Sequence, residues 1–285
     1  MSAQRLWIVC VLVLSLAACQ SEQTESAPNA PTAAATPPSS ALAGVPGAAP
    51  LAASTDGEQA DTKRYKIDIR YPVLGTGEAP LDSMLHKIAA AAKQDFMQSL
   101  PDPKRFPEFA DRQMQLLIDF KITARTADFV SVRETGMQDS GGAHPIPIDS
   151  TIVYDVQARR TVTLDDLFSD ADAARKVLAD YARTELTNKI MAQAPKPGEG
   201  SPQAIKEWKT NAQKMIDDGT QPTQQNFANF IVRAGNSGEP SPGLILIFPP
   251  YQVAPYVYGT QTVDVPTATF AQYLKPQYRG AFIAP

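Results

Sequence analysis

The sequence predicts an α+β fold: antiparallel sheets with helices packed on one side. Three observations carry that prediction. Several stretches alternate apolar and polar residues with the period of two that a half-buried strand requires. Others repeat apolar residues every three or four positions, as amphipathic helices do. The two kinds do not alternate regularly, and no glycine-rich nucleotide loop joins a strand to a helix, so the pattern is not that of a doubly wound protein.

Tyr65, Ile67, Ile69, Tyr71 and Val73 alternate with Lys66, Asp68, Arg70 and Pro72, which predicts a first strand. Pro72 lacks a ladder donor and is tolerated near the strand end. Gly75-Thr76-Gly77 breaks the chain. Leu81, Leu85, Ile88, Ala92 and Phe96 then define a helix of about 20 residues that ends at Pro101-Asp102-Pro103. Met114, Leu116, Ile118, Phe120, Ile122 and Ala124 form the clearest strand. Phe129 to Glu134 can pair with it as a hairpin through Thr126-Ala127-Asp128, and Thr151 to Val156 is a further strand. Gln157 to Arg160 turns the chain into Thr161 to Leu164. Asp165 and Asp166 place charge at the start of a helical turn with Leu167 and Phe168. Asp170 to Ala194 is helical, with Ala174, Leu178, Tyr181 and Ala182 on one side. Pro195 to Gly200 is a loop, and Pro202 to Asp218 is a polar helix. Strands return at Asn229 to Arg233, Gly243 to Phe248 and Thr262 to Val265, and Pro266 to Leu274 predicts a short C-terminal helix.

Ahead of these elements stands a different kind of sequence. Met1 to Arg5 carries one positive charge, and Leu6 to Ala17 is apolar but too short to cross a bilayer as a permanent helix. Leu16-Ala17-Ala18-Cys19 resembles the lipobox of bacterial lipoproteins. That resemblance implies a signal peptide over 1–18, and acylation of Cys19 by chains that together anchor the protein. Gln20, where such proteins often carry a retention aspartate, points to the outer membrane and a periplasm-facing domain. Residues 20–62 are rich in Ala, Pro, Ser and Thr and hold no aromatic residue. They predict a tether spanning about 35–40 Å as a coil. With Cys10 removed and Cys19 acylated, no free thiol is left for a disulfide, a nucleophile or a metal.

Charge excludes further classes. The only base before Lys63 is Arg5, and the acids there are Glu22, Glu25, Asp56, Glu58 and Asp61. Taken from 26 bases and 30 acids, these leave 25 of each sign in 63–285. A neutral domain without a basic run argues against nucleic acid and against electrostatic binding to anionic lipid.

Three stretches together carry a resemblance. They are Ser140-Gly141-Gly142-Ala143-His144, Thr161-Val162-Thr163-Leu164-Asp165-Asp166-Leu167-Phe168, and Pro249-Pro250-Tyr251-Gln252-Val253-Ala254-Pro255-Tyr256. In this order they resemble the extracytoplasmic module of the anti-sigma factor RsiV family, which also occurs in PdaC-type peptidoglycan deacetylases and in envelope lipoproteins. The resemblance implies two closely joined lobes, an N-terminal one over 63–139 and a C-terminal one over 140–285. In the RsiV branch the module binds lysozyme. This chain is expected to depart from that arrangement, with no transmembrane helix, sigma-binding segment or deacetylase domain read in its sequence.

The candidate binding residues are Gly141, Gly142, His144, Tyr251 and Tyr256. The paired glycines permit close approach of another chain, and Pro145 holds His144 extended. Tyr251 and Tyr256 offer rigid contact area in a proline-rich loop. Each also has a structural reading, as a turn or as a cap on the sheet. Asp139, Ser140 and His144 include the residue types of a hydrolytic triad but lie on one loop, and no G-x-S-x-G elbow is present. His86 is expected on the polar face of the first helix, and His86 and His144 are the only histidines. No metal, cofactor or catalytic residue is expected. The reading is a binding module for a lysozyme-like muramidase or for peptidoglycan, with a cell-wall hydrolase or deacetylase, or a structural envelope lipoprotein, as alternatives.

Overall fold

The alternating stretches become two sheets. The computed structural model describes residues 57–236 and 239–285. In chain order the elements are β1 (Gly57–Asp61), β2 (Tyr65–Arg70), α1 (Ala79–Ser99), β3 (Met114–Arg125), β4 (Phe129–Asp139), β5 (Ile146–Asp155) and β6 (Arg160–Val162). They continue with α2 (Ala171–Met191), α3 (Pro202–Gly219), β7 (Phe230–Val232), β8 (Gly243–Phe248) and β9 (Gln261–Pro266). Cys19, the signal segment and the tether as far as residue 56 lie outside the described residues. No helix among the described residues is long and apolar enough to cross a membrane.

The large sheet runs β1-β2-β3-β4-β5-β6 and the small one β7-β8-β9. All pairs are antiparallel except β2–β3. That parallel pair was not anticipated, and it needs the long crossover that α1 supplies. Leu81, Leu85, Ala89 and Phe96 of α1 are fully buried against Ile67, Ile69, Leu116, Ile118 and Phe120. Each leucine or phenylalanine side chain among them contributes about 1.5–3 kcal/mol.

Neighbouring residues of one strand enter different cores. Phe129 and Val153 pack with α2 and the small sheet, whereas Val130, Val132 and Tyr154 pack with α1. Because side chains alternate across a strand, the large sheet separates the two cores. The lobes therefore share a sheet. The expected boundary at 139/140 falls at the tip of the β4–β5 hairpin, and β5 contributes to both cores. At Thr123 the pairing slips by one, so that Ile122 faces Val132 while Ala124 faces Ser131. The bulge flips the parity of β3, and Ala124 packs with Ile231, Ile245 and Ile247 of the small sheet.

Polar groups fix how the sheets meet. The Ser131 hydroxyl accepts from the Val232 amide (3.1 Å), and the Thr151 hydroxyl accepts from the Phe230 amide (2.9 Å). The chain end is tied back where the Tyr278 hydroxyl donates to Asp155 (2.9 Å). Burial, with that carboxylate, pushes the Tyr278 pKa up to about 12.

Three local expectations change. Gly57–Asp61, assigned by composition to the tether, forms the edge strand β1. The helix expected over Pro266 to Leu274 is two 3-10 turns, Thr267–Thr269 and Ala271–Tyr273, closed by Phe270 N–H to Thr267 O (3.0 Å) and Leu274 N–H to Ala271 O (3.2 Å). Asp166 caps a 3-10 turn, Leu164–Leu167, by accepting from the Thr163 amide (2.8 Å), and Asp165 pairs with Arg175.

Candidate functional site

The β4–β5 tip is clamped at its base. Arg112 donates to both oxygens of Asp139 at 2.9 Å, and the Gly141 amide donates to the same carboxylate at 3.0 Å. Burial opposes the charge on Asp139, but the Gly141 amide and Arg112 outweigh it and hold the carboxyl below its usual range. Gly141 has φ +97°, and a β-carbon there would lie 2.9 Å from the Phe109 ring. Glycine is required on both counts. Gly142, Ala143 and His144 extend beyond this clamp into solvent.

The loop after β8 is held from the opposite side. Val253 and Ala254 are buried in the α2 core, and the Gln252 side-chain amide donates to the carbonyls of Gly219 (3.0 Å) and Asn226 (2.9 Å). The loop backbone sits so close to the end of α3 that a β-carbon on Gly219 would be 2.1 Å from the Gln252 carbonyl oxygen. With the loop pinned there, Tyr251 turns outward at φ +73°, its amide donating to Ala254 O (3.0 Å). Tyr256 opens a 3-10 turn, Tyr256–Tyr258. Tyr258 packs inward near Trp208, whereas Tyr251 and Tyr256 are 50% and 44% exposed. Thr260 then donates to Asp149, whose carboxylate also accepts two bonds from Arg133 at 2.8 Å. That contact ties this loop to β5 and brings the two loops together.

The three aromatic residues read from the sequence meet. Ring centroids of His144 and Tyr251 lie 6.3 Å apart, those of His144 and Tyr256 5.6 Å, and those of Tyr251 and Tyr256 5.6 Å, with planes 26–29° apart. Near-equal separations describe a triangle and exclude a column. His144 Nδ1 lies 3.0 Å from the Pro145 carbonyl and Nε2 lies 3.3 Å from the Tyr251 hydroxyl. A carbonyl only accepts, so Nδ1 carries the proton and Nε2 accepts from the tyrosine. Exposed aromatic clusters on rigid supports are the usual anchors of recognition surfaces.

The other candidates separate. Asp139 is engaged by Arg112 and Gly141, and His144 by Pro145 and Tyr251; no bond links Asp139, Ser140 and His144 as a triad. On α1, the His86 ring packs against that of Tyr71, with centroids 4.0 Å apart. Among the described residues, no group of three His, Cys, Asp or Glu side chains could hold a metal. Sequence reasoning missed Val257, 85% exposed beside Tyr256, and Ile146, 58% exposed beyond Pro145. The signal for Val257 was an aliphatic residue flanked by tyrosines in a proline-bounded turn. Nothing local marked Gln252 as the anchor.

Residues 165–268 match a family described as protein of unknown function, DUF3298, so a DUF3298 domain is present. That span holds Tyr251 and Tyr256 but not His144. The chain is 24% identical over 220 residues to the peptidoglycan-N-acetylmuramic acid deacetylase PdaC of Bacillus subtilis. The match covers 76% of this chain and 41% of that protein, so the chain spans less than half of its relative's length. Two solved structures share the fold. A DUF3298 family protein from Pseudomonas aeruginosa superposes with a TM-score of 0.51 at 18% identity, covering 83% of this chain and 99% of that one. A DUF3298 member from Bacteroides fragilis gives 0.50 at 17%, covering 78% and 94%.

Proposed function

We propose that this chain is a peptidoglycan-binding module of the cell envelope, held to the outer membrane through Cys19 and engaging its ligand through His144, Tyr251 and Tyr256. The observation that carries the reading is the exposed three-ring cluster on two independently clamped loops. Tyr251 sits in backbone geometry unfavourable for a residue with a side chain, and such strain gathers where a side chain must be presented. The distant relative named for acting on peptidoglycan supports that choice of ligand. A lysozyme-like muramidase is the second reading, favoured by the aliphatic reach of Val257 and Ile146 beside the rings. Sedimentation of the full chain with purified sacculi, run beside capture on immobilised lysozyme, tests both. Cosedimentation is expected. Capture by lysozyme without cosedimentation transfers the surface to the second reading, and failure of both removes the function.

A further inference from the structure

We infer that the ligand group seated on this surface is a chain of N-acetylated hexosamines, its sugar faces on the rings and an acetamido carbonyl on the hairpin tip; this rests on the peptidoglycan reading above. The rings provide the first part of the argument. His144 and Tyr251 are stacked, with centroids 6.3 Å and planes 28° apart, and the tyrosine hydroxyl lies 3.3 Å from the imidazole Nε2. Tyr256 lies 5.6 Å from each. The result is an apolar tile of offset, roughly parallel rings, with Tyr251 and Tyr256 about half exposed. An aromatic face is electron-rich and attracts polarised C–H groups. A pyranose presents a flat face of such groups, and a stem peptide does not.

The backbone provides the second part. Gly142 and Ala143 are exposed, and their N–H groups make no hydrogen bond within the described residues. They stand two residues and one residue before His144. Gly142 has no side chain to shield them. An acetamido carbonyl is an acceptor that fits bare amides beside an apolar tile.

The test follows the tyrosine ring signals of the full chain by NMR during titration with tetra-N-acetylchitotetraose and with cellotetraose, a neutral chain of the same linkage without acetamido groups. Sacculus sedimentation runs in parallel. The Tyr251 and Tyr256 signals should move with the acetylated tetramer, and cellotetraose should bind at least about tenfold more weakly, as loss of the acetamido bond requires. Tyr251→Ala should abolish the response while the remaining spectrum stays folded. Equal binding of the two tetramers overturns the acetamido contact. Cosedimentation with sacculi without response to either tetramer overturns this inference and leaves the peptidoglycan reading standing. Absence of both overturns the two together.

Discussion

Replacing Tyr251 by alanine and by glycine separates the ring from the backbone that presents it. Both changes remove the same ring, the same packing on His144 and Tyr256, and the same hydroxyl bond at 3.3 Å. They differ only in the β-carbon, at a φ of +73°. A β-carbon in that region costs about 1–2 kcal/mol, which glycine avoids. Glycine also loosens the unfolded chain, which offsets about 0.4–1 kcal/mol. Tyr251→Gly should therefore be more stable than Tyr251→Ala by about 0.5–1 kcal/mol, or about 1–4 °C in Tm for a domain of this size. Thermal melts by circular dichroism read the difference, and sacculus sedimentation of both variants reads the function. Both should lose binding equally, because the ring and not the backbone makes the contact. If the alanine variant melts at or above the glycine variant, the strain argument fails. If only one loses binding, the ring is not the contact.

Other perturbations address the support and the anchor. Gly219→Ala places a β-carbon 2.1 Å from the Gln252 carbonyl oxygen. Overpacking of this kind costs about 1–3 kcal/mol, so the melting point should fall and the Tyr251 and Tyr256 NMR signals should shift; unchanged signals would mean that α3 does not set the loop. Burial raises the Glu134 carboxyl above its ordinary range, against the lowering effect of the Ser150 hydroxyl. Its contribution to stability is thus complete below the unfolded pKa, about 4.3, and lost as pH rises through the folded value. Glu134→Gln should therefore be the more stable protein in melts at pH 7, with the advantage gone by about pH 3.5; a gap independent of pH contradicts this. Cys19→Ala should move the protein from the membrane fraction to the soluble fraction, and unchanged membrane association would remove the lipid anchor from the account.

Where a side chain's neighbours are set by periodicity alone, the sequence was sufficient. The spacing of Leu81, Leu85 and Phe96 predicts α1, and the apolar run Gly243 to Phe248 predicts a strand, which the structure shows as β8, buried throughout. Strand β1 escaped notice because Gly57–Asp61 carries no apolar alternation. Pairing with β2 creates it, helped by Lys93 on Glu58 and Gln113 on Asp61. The parity flip at Thr123 was equally hidden, since Ala124 continues the even-numbered apolar series and only the slipped pairing reveals that it faces the other core. The site was legible as residue types and not as an arrangement. His144 and Tyr251 stand 107 positions apart, and their meeting depends on Asp149 reaching Thr260 and on Gln252 reaching the end of α3. Those contacts are tertiary and leave no local pattern.

The central claim is that the three-ring cluster holds peptidoglycan, and the most direct measurement is the bound fraction of a Tyr251→Ala, Tyr256→Ala double variant with purified sacculi, beside the unsubstituted chain. Both rings are about half exposed, at 50% and 44%, so their removal should leave a folded domain. Aromatic hot spots of a recognition surface cost about 2 kcal/mol or more each on truncation, so removing both should weaken binding by more than about thirtyfold and up to about a thousandfold. A double variant that sediments with sacculi as fully as the unsubstituted chain would contradict the account.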